Sequence, residues 1–148
     1  MQEIRDIWRR MKAVLRLARR VVNAELESLN LTGAEGDILF HLLSERDGLS
    51  QEKLAEHLDV GKAAISRTVD SLANKGYVQR ERRLDDARAY RITLTPAAKE
   101  AAEKIEYAYN AVYEAAMGEI DASEFQCVSA LLEKVYQNLH PQEAKNDD

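Results

Sequence analysis

Residues 49–95 decide the fold, and they read LSQEKLAEHLDVGKAAISRTVDSLANKGYVQRERRLDDARAYRITLT. The stretch opens with Ser50, whose hydroxyl suits a helix N-cap, and the residues after it place Leu54 on an apolar helix face. The tripeptide at 59–61 then predicts a tight turn, because Gly61 is free to adopt backbone angles that other residues resist. A short helix followed by a tight turn is therefore expected.

A second helix is predicted at 62–75. Its buried face carries Ile65, Val69 and Leu72 at i, i+4 and i+7. The other face carries small, hydrogen-bonding and cationic groups near the N-terminal end: Lys62, Ala63, Ser66 and Arg67. Small side chains permit close approach to DNA, and serine and arginine donate hydrogen bonds to bases and phosphates. This pattern is typical of a helix that reads the major groove.

The period of the sequence changes after Gly76, which is expected at the C′ position of the second helix. Residues 77–83 read as an extended segment, and residues 90–94 alternate as a half-buried strand. The connection at 84–89 carries charge at its tip. A helix-turn-helix followed by such a hairpin is a winged helix.

This arrangement resembles the MarR family of bacterial transcription regulators. The most specific part of the resemblance is the motif Asp86-x-Arg88, which Leu94-Thr95 follows six residues later. The other matching segments are Leu49 to Leu58, Val60 to Arg67, Leu72, Lys75-Gly76-Tyr77-Val78 and Arg83. The flanking helices also fall where that family has them.

The resemblance implies a homodimer that binds palindromic duplex DNA, as a repressor that a small-molecule effector releases. Arg88 is similar to the arginine that enters the minor groove in this family, and Asp86 would orient it through an ion pair. The positions expected to contact DNA are Ser50, Gln51, Lys62, Ala63, Ser66, Arg67, Lys75, Arg83, Arg88 and Arg91. Effectors in this family often bind between the dimer helices and the winged domain. Trp8, Met11, Arg16, His41, Tyr107, Tyr109 and Tyr113 suit such a place by helical position, but core and interface roles suit them equally, and they stay unassigned.

The charge distribution agrees with DNA binding although the net charge is −5. Residues 62–91 hold eight cations and four acids, so the segment is locally basic while the remainder of the chain is acidic. Positive charge is thus concentrated where phosphates must be neutralised. The acidic remainder disfavours contact with DNA through other surfaces.

Long amphipathic helices are predicted on both sides of the winged helix. The first runs over about 3–28, and the last two lie between Thr95-Pro96 and His140-Pro141, where the final helix is expected to stop. Capping boxes are predicted at Thr32-Glu35 and Asp121-Glu124. These helices carry more apolar surface than one small domain needs, which favours a symmetric dimer.

The overall class is thus mainly α with a β-hairpin wing: a DNA-binding domain at 31–95, a helical dimerisation region at 1–30 and 96–141, and a polar tail at 142–148.

A reactive cysteine, a metal site and DNA contact by the first helix are each less favoured than an ordinary structural or surface role. The lone Cys127 lacks a cationic neighbour that would activate it, which favours a structural over a redox role. The histidines have no histidine or cysteine partner at helical spacing, so neither a metal site nor a cofactor is expected. For the arginines of the first helix, a solvent-exposed helix face is favoured over a role in DNA contact.

No nucleophile–base constellation or phosphate loop supports an enzyme. The chain has no long apolar run and no signal-peptide pattern, and its single cysteine suits a reducing compartment, so a cytoplasmic protein is expected. The alternative function is a winged-helix module that binds proteins and has no affinity for DNA.

Overall fold

A computed structural model describes residues 1–82 and 90–143, with side chains through residue 140. The described helices are α1 (Gln2–Leu26), α2 (Gly33–Leu43), α3 (Gln51–Leu58), α4 (Lys62–Asn74), α5 (Pro96–Met117) and α6 (Ala122–Glu143). A single 3-10 turn, Glu27–Leu29, follows α1. Strands β1 (Val78–Arg82) and β2 (Tyr90–Leu94) form one antiparallel hairpin. The mainly helical winged-helix class that the sequence predicts is confirmed.

The helix starts follow from side-chain caps. Thr32 accepts a hydrogen bond from the backbone N–H of Glu35 at 3.2 Å, and its own N–H donates to that glutamate at 3.3 Å. Asp121 and Glu124 form the same reciprocal pair at the start of α6. Ser50 caps α3 through the N–H of Lys53. Each cap satisfies backbone donors that the first helical turn leaves without partners, so the predicted starts hold.

The turn between α3 and α4 differs from its prediction in one detail. Asp59, rather than Gly61, takes the left-handed conformation, with φ 51° and ψ 50°. A short acidic side chain tolerates that conformation better than most residues do. Gly61 has a φ of −59° and serves as the N-cap of α4, so its freedom is not used there.

The end of α4 matches its prediction. Gly76 has a φ of +82°, its N–H bonds to the carbonyl of Ala73, and the N–H of Tyr77 bonds to that of Leu72. This pair of bonds is the Schellman arrangement, which satisfies terminal carbonyls and turns the chain sharply. The turn directs the chain straight into β1.

The hairpin is joined to the helices by a third, very short strand. Leu49 forms an isolated bridge with Ile92, and their two backbone bonds are 3.1 and 2.7 Å long. Gly48 precedes it with a φ of +71°, and a Cβ there would lie 2.3 Å from the carbonyl oxygen of Ile92. Only glycine fits this close approach. The wing is therefore held against the end of α2.

The chain packs as two units, residues 1–112 and 113–148. The core of the first joins the winged helix to the end of α1 and to most of α5. Its fully buried side chains include Leu26, Ile38, Leu39, Leu42, Leu54, Val69, Leu72, Ile92 and Ile105. Leu26 and Ile105, which lie outside the predicted DNA-binding domain at 31–95, are buried in this core as deeply as Leu72. The division into a DNA-binding domain and a dimerisation region stays a prediction.

In the second unit, α6 continues through Pro141 to Glu143, so the predicted stop at His140-Pro141 is wrong. Proline within the last turn interrupts the hydrogen bonding near the end of a helix but leaves the earlier turns intact. Within the single chain Cys127 is exposed, so it does not pack as a buried structural cysteine there.

Candidate nucleic-acid interface

The N-terminal half of α4 presents the surface that the sequence predicts. Lys62, Ala63 and Arg67 are exposed and Ser66 is half-buried. The opposite face is anchored by Ile65, Val69 and Leu72, each no more than 2% exposed. Three buried anchors fix the rotation of the helix about its axis, so the cationic and hydroxyl groups keep a fixed direction. Such a rigid, donor-rich helix face is what base readout requires.

Lys62 also forms an ion pair with Glu52 of α3, 3.5 Å apart. Both side chains are more than three-quarters exposed. Pairs of this kind contribute little to stability in water. The ammonium is therefore available to a stronger anion such as a phosphate.

Arg80 braces the two helices of the motif from the hairpin. Its guanidinium donates to the side-chain oxygen of Gln51 at 3.2 and 3.3 Å and forms an ion pair with Asp70 of α4. Arg80 stands opposite Ile92 in the register, on the hairpin face that packs toward the helices. This brace was not predicted from the sequence, although strand alternation places Arg80 on the same face as Val78.

Two predicted DNA-contact residues have local structural roles at the start of α3. The hydroxyl of Ser50 accepts the capping bond from Lys53, and the side-chain oxygen of Gln51 accepts from Arg80. These bonds leave the hydroxyl proton of Ser50 and the amide N–H groups of Gln51 as donors. Contact of these two side chains with DNA stays a prediction.

Lys75 lies at the far end of α4 and points into the protein. Its ammonium donates to both carboxylate oxygens of Glu35, at 2.8 and 3.1 Å, and to the carbonyl of Asn30 at 2.6 Å. Its side chain is 27% exposed and that of Glu35 only 6%. Lys75 is thus engaged in a partly buried ion pair at the opposite end of α4 from Lys62 and Arg67.

The Glu35 carboxylate holds this cluster together. Burial alone raises the pKa of Glu35, but hydrogen bonds from Lys75, Ser71 and the backbone N–H of Thr32 outweigh it and leave the pKa below its usual value. The carboxylate is therefore ionised at neutral pH and fixes α4 to the start of α2. Nothing in the sequence indicates this pair, because its members are 40 residues apart.

Arg91 lies on the opposite face of the hairpin from Arg80. Its guanidinium donates to the carbonyl of Asp47 at 3.2 Å and faces a cleft of about 780 Å³. The cleft lies between the end of α2, the back of the hairpin and the start of α5. Its lining includes Leu42, Leu43, Arg46, Gln79, Glu81, Arg82, Thr93, Leu94 and Lys99. The structure thus separates Arg91 from the exposed face of α4.

The remaining wing residues, Arg83, Asp86 and Arg88, lie outside the described residues. Their roles at the hairpin tip stay predictions.

Tyr109, one of the residues that suit an effector pocket by helical position, packs in the core of the first unit. Tyr109 is 6% exposed, donates to Asp37 at 2.6 Å and stacks on Phe40 at 4.3 Å between ring centres. Arg19 forms an ion pair with Asp37 at 2.6 Å, and this bond raises the pKa of the guanidinium. Tyr109 is therefore a core residue, whereas Trp8 is 41% exposed.

Comparison with known proteins agrees with this geometry. Residues 29–89 match the model of the MarR family, from the start of the winged helix through the hairpin. The winged helix of this chain is thus of the MarR type. The family consists of transcription regulators rather than enzymes.

Solved structures of MarR proteins match nearly the whole chain. A MarR protein from Peptoclostridium difficile is 25% identical with a TM-score of 0.83, over 95% of this chain and 91% of that one. A mutant MarR from E. coli, complexed with operator DNA, is 25% identical with a TM-score of 0.77, over 90% and 95%. A putative MarR-family regulator from Listeria monocytogenes, complexed with a 26mer DNA, shares the fold at 20% identity, with a TM-score of 0.82 over 91% and 89%.

Among the residues described, the chain has no helix that is long and apolar enough to cross a membrane. The same residues hold no cluster of three or more histidine, cysteine or acidic side chains that would suit a metal ion.

Proposed function

We propose that this chain is a MarR-type transcription regulator, which binds palindromic duplex DNA as a homodimer and represses transcription until a small-molecule effector releases it. The observation that carries the proposal is the exposed N-terminal face of α4, with Lys62, Ser66 and Arg67 on a helix whose opposite face is buried. Arginine makes bidentate contacts to guanine, and lysine neutralises phosphates. The E. coli relative was crystallised with operator DNA, which supports the same docking for this chain.

Contacts from the hairpin complete the DNA-binding surface. Arg88 at the predicted wing tip enters the minor groove, where an arginine gains from the negative potential of a narrow groove. Asp86 orients it. Arg80 supports the arrangement from behind, because it fixes β1 to both α3 and α4.

Dimerisation rests on apolar surfaces that the single chain leaves uncovered. On α6 the side chains of Phe125, Val128, Leu131, Leu132, Tyr136 and Leu139 recur at three- and four-residue spacing and are 43–58% exposed. On α1 the exposed apolar side chains are Ile4, Ile7, Trp8, Val14, Leu15, Leu17 and Val21. Stripes of this length on a monomer indicate a protein interface. A symmetric pair covers both and sets two α4 helices against successive major grooves.

The cleft behind the hairpin is the proposed effector site. Its volume lies within the range of small-molecule pockets, about 300–1,000 Å³. Arg91 and Lys99 supply cationic groups, and Leu43 and Leu94 supply apolar surface. A ligand held there would bind the hairpin to the ends of α2 and α5 and thereby change the position of the wing.

Since regulation requires access to the chromosome, the protein acts in the cytoplasm.

Capture of genomic DNA tests the proposed function. The purified protein should retain a small set of fragments, and footprinting should show two half-sites about one helical turn, roughly 34 Å, apart. The fragments should be released as salt is raised, because phosphate contacts release counterions. Failure to retain any duplex at low salt would favour the alternative, a winged helix that binds only proteins.

A further inference from the structure

Two histidines from different helices meet on the surface of the winged helix. His41 lies in the last turn of α2 and His57 in the last turn of α3. The Nε2 atom of His41 is 2.9 Å from the Nδ1 atom of His57, and the ring centroids are 5.1 Å apart at an interplanar angle of 79°. The contact is open to solvent. Sequence spacing gave no sign of it, because the residues are 16 positions apart.

The separation of the two nitrogens matches a particular coordination geometry. Imidazole nitrogens bind divalent metals at about 2.0–2.1 Å. Two such ligands at a right angle lie about 2.9 Å apart, whereas two ligands of a tetrahedral ion lie roughly 3.3–3.4 Å apart. Square-planar and tetragonal sites with nitrogen ligands are typical of Cu²⁺ and Ni²⁺. The 2.9 Å of the hydrogen-bonded pair lies near the right-angle value, so rotation of the two rings brings them to that geometry without moving either helix.

The side chains can adopt the ligand state with little rearrangement. In the neutral pair one ring donates its N–H to the other. Metal binding requires that this proton move to the outer nitrogen of its ring and that both lone pairs turn toward a common point. The χ2 torsion of histidine is broad, so a rotation of each ring meets little resistance. Leu42 and Leu54, which are 1% and 0% exposed, anchor the two helices and keep the rings close.

We propose that His41 and His57 form a binding site for a divalent transition-metal ion of tetragonal preference, Cu²⁺ or Ni²⁺. Water fills the other coordination positions, since the described residues include no third histidine, cysteine or acidic ligand grouped with them. The bound ion joins α2 to α3 just before the turn that leads into α4. Because only the folded chain holds the two rings together, binding stabilises the winged helix.

Thermal unfolding of the untagged protein with added CuCl₂ or NiCl₂ tests the site. Both ions should raise the Tm of the wild type, more than ZnCl₂ does, and EDTA should reverse the shift. His57→Gln and His41→Gln should each lose the metal-dependent shift, because one remaining imidazole binds the ion more weakly than two do. Mutation of a residue that only supports a ligand typically lowers metal affinity about tenfold to a hundredfold, and loss of a ligand itself should lower it at least as much. The bond between the two rings is open to solvent, so either replacement should lower the metal-free Tm only slightly, and the metal-dependent shift is measured from each variant's own metal-free Tm.

The third histidine provides the matched control. His140 stacks on Tyr136 in α6, and His140→Gln should retain the full shift. Electron paramagnetic resonance of the Cu²⁺ complex should show two nitrogen ligands in the wild type and in His140→Gln, and fewer in His57→Gln. An equal Tm shift in wild type and His57→Gln, or a spectrum that His57→Gln leaves unchanged, would overturn the proposal.

Discussion

Replacement of Glu35 by glutamine should destabilise the protein strongly for a single polar substitution. The carboxylate accepts from Lys75 at 2.8 and 3.1 Å, from the Ser71 hydroxyl at 2.8 Å and from the N–H of Thr32 at 3.3 Å. The amide of glutamine turns one acceptor into a donor and removes the charge. The ammonium of Lys75 then faces a neutral amide in place of a carboxylate, and only 27% of the lysine side chain is exposed to water.

The expected loss of unfolding free energy depends on the partial exposure of Lys75. Breaking a fully buried pair costs about 3–5 kcal/mol, and one hydrogen bond to a charged group contributes about 1.5–3 kcal/mol. Because Lys75 keeps access to water and to the carbonyl of Asn30, the loss for Glu35→Gln should be about 2–3 kcal/mol. For a chain of this length that corresponds to a Tm lower by about 5–10 °C.

Urea unfolding at a fixed protein concentration measures this loss, and a double-mutant cycle with Lys75→Met isolates the pair. The loss of unfolding free energy in the double variant should be smaller than the sum of the two single losses by about 1–2 kcal/mol. Lys75→Met should also leave the salt dependence of DNA binding unchanged, because its ammonium is engaged with Glu35. Additive losses, or a salt slope that falls by about one per subunit, would refute the structural role of Lys75.

The same carboxylate predicts a pH dependence. The pKa of Glu35 is lowered in the folded state, so its contribution to stability is complete above its unfolded pKa, about 4.3. The contribution disappears as the pH falls through the lower, folded pKa. The difference in unfolding free energy between wild type and Glu35→Gln should therefore shrink below about pH 4.3, and a constant difference down to pH 2 would contradict this reasoning.

Three further predictions concern the wing, the turn before it and the dimer. Arg88→Ala should weaken binding to operator and random DNA alike and lower the salt slope by about one per subunit, which a salt titration on both duplexes measures. Gly48→Ala should lower the unfolding free energy by more than about 1 kcal/mol, measured by urea unfolding, because the new Cβ meets the carbonyl of Ile92 at 2.3 Å. Leu131→Glu should give folded monomers in sedimentation, whereas Lys134→Glu on the same helix should remain dimeric.

Much of the fold was accessible to sequence reasoning because its signals are local. The caps at Thr32, Ser50 and Asp121 and the C′ glycine at Gly76 depend on residues within one helical turn, and all four hold. The apolar spacing on α4 also gave its buried face correctly. Tertiary partners were not accessible. Lys75 looked like one more cation of the DNA surface, yet its ammonium binds a carboxylate that a distant capping box brings to it.

The hairpin shows the same limit. Strand alternation predicted β2, but the roles of the arginines on the two strands depend on which face of the hairpin packs toward the helices. That face carries Arg80, which braces Gln51 and Asp70, while Arg91 faces the cleft behind. The contact between His41 and His57 likewise depends on how α2 packs against α3, which no spacing within one helix reveals.

A salt titration of Arg67→Ala tests most directly the claim that α4 reads DNA. On the preferred duplex the variant should lose about 1–3 kcal/mol of binding free energy, roughly five- to 150-fold in affinity, with a smaller loss on random DNA. Lys104→Ala, which removes an exposed cation from α5, should bind both duplexes as the wild type does. Equal affinity of Arg67→Ala and wild type on every duplex, at every salt concentration, would contradict the account.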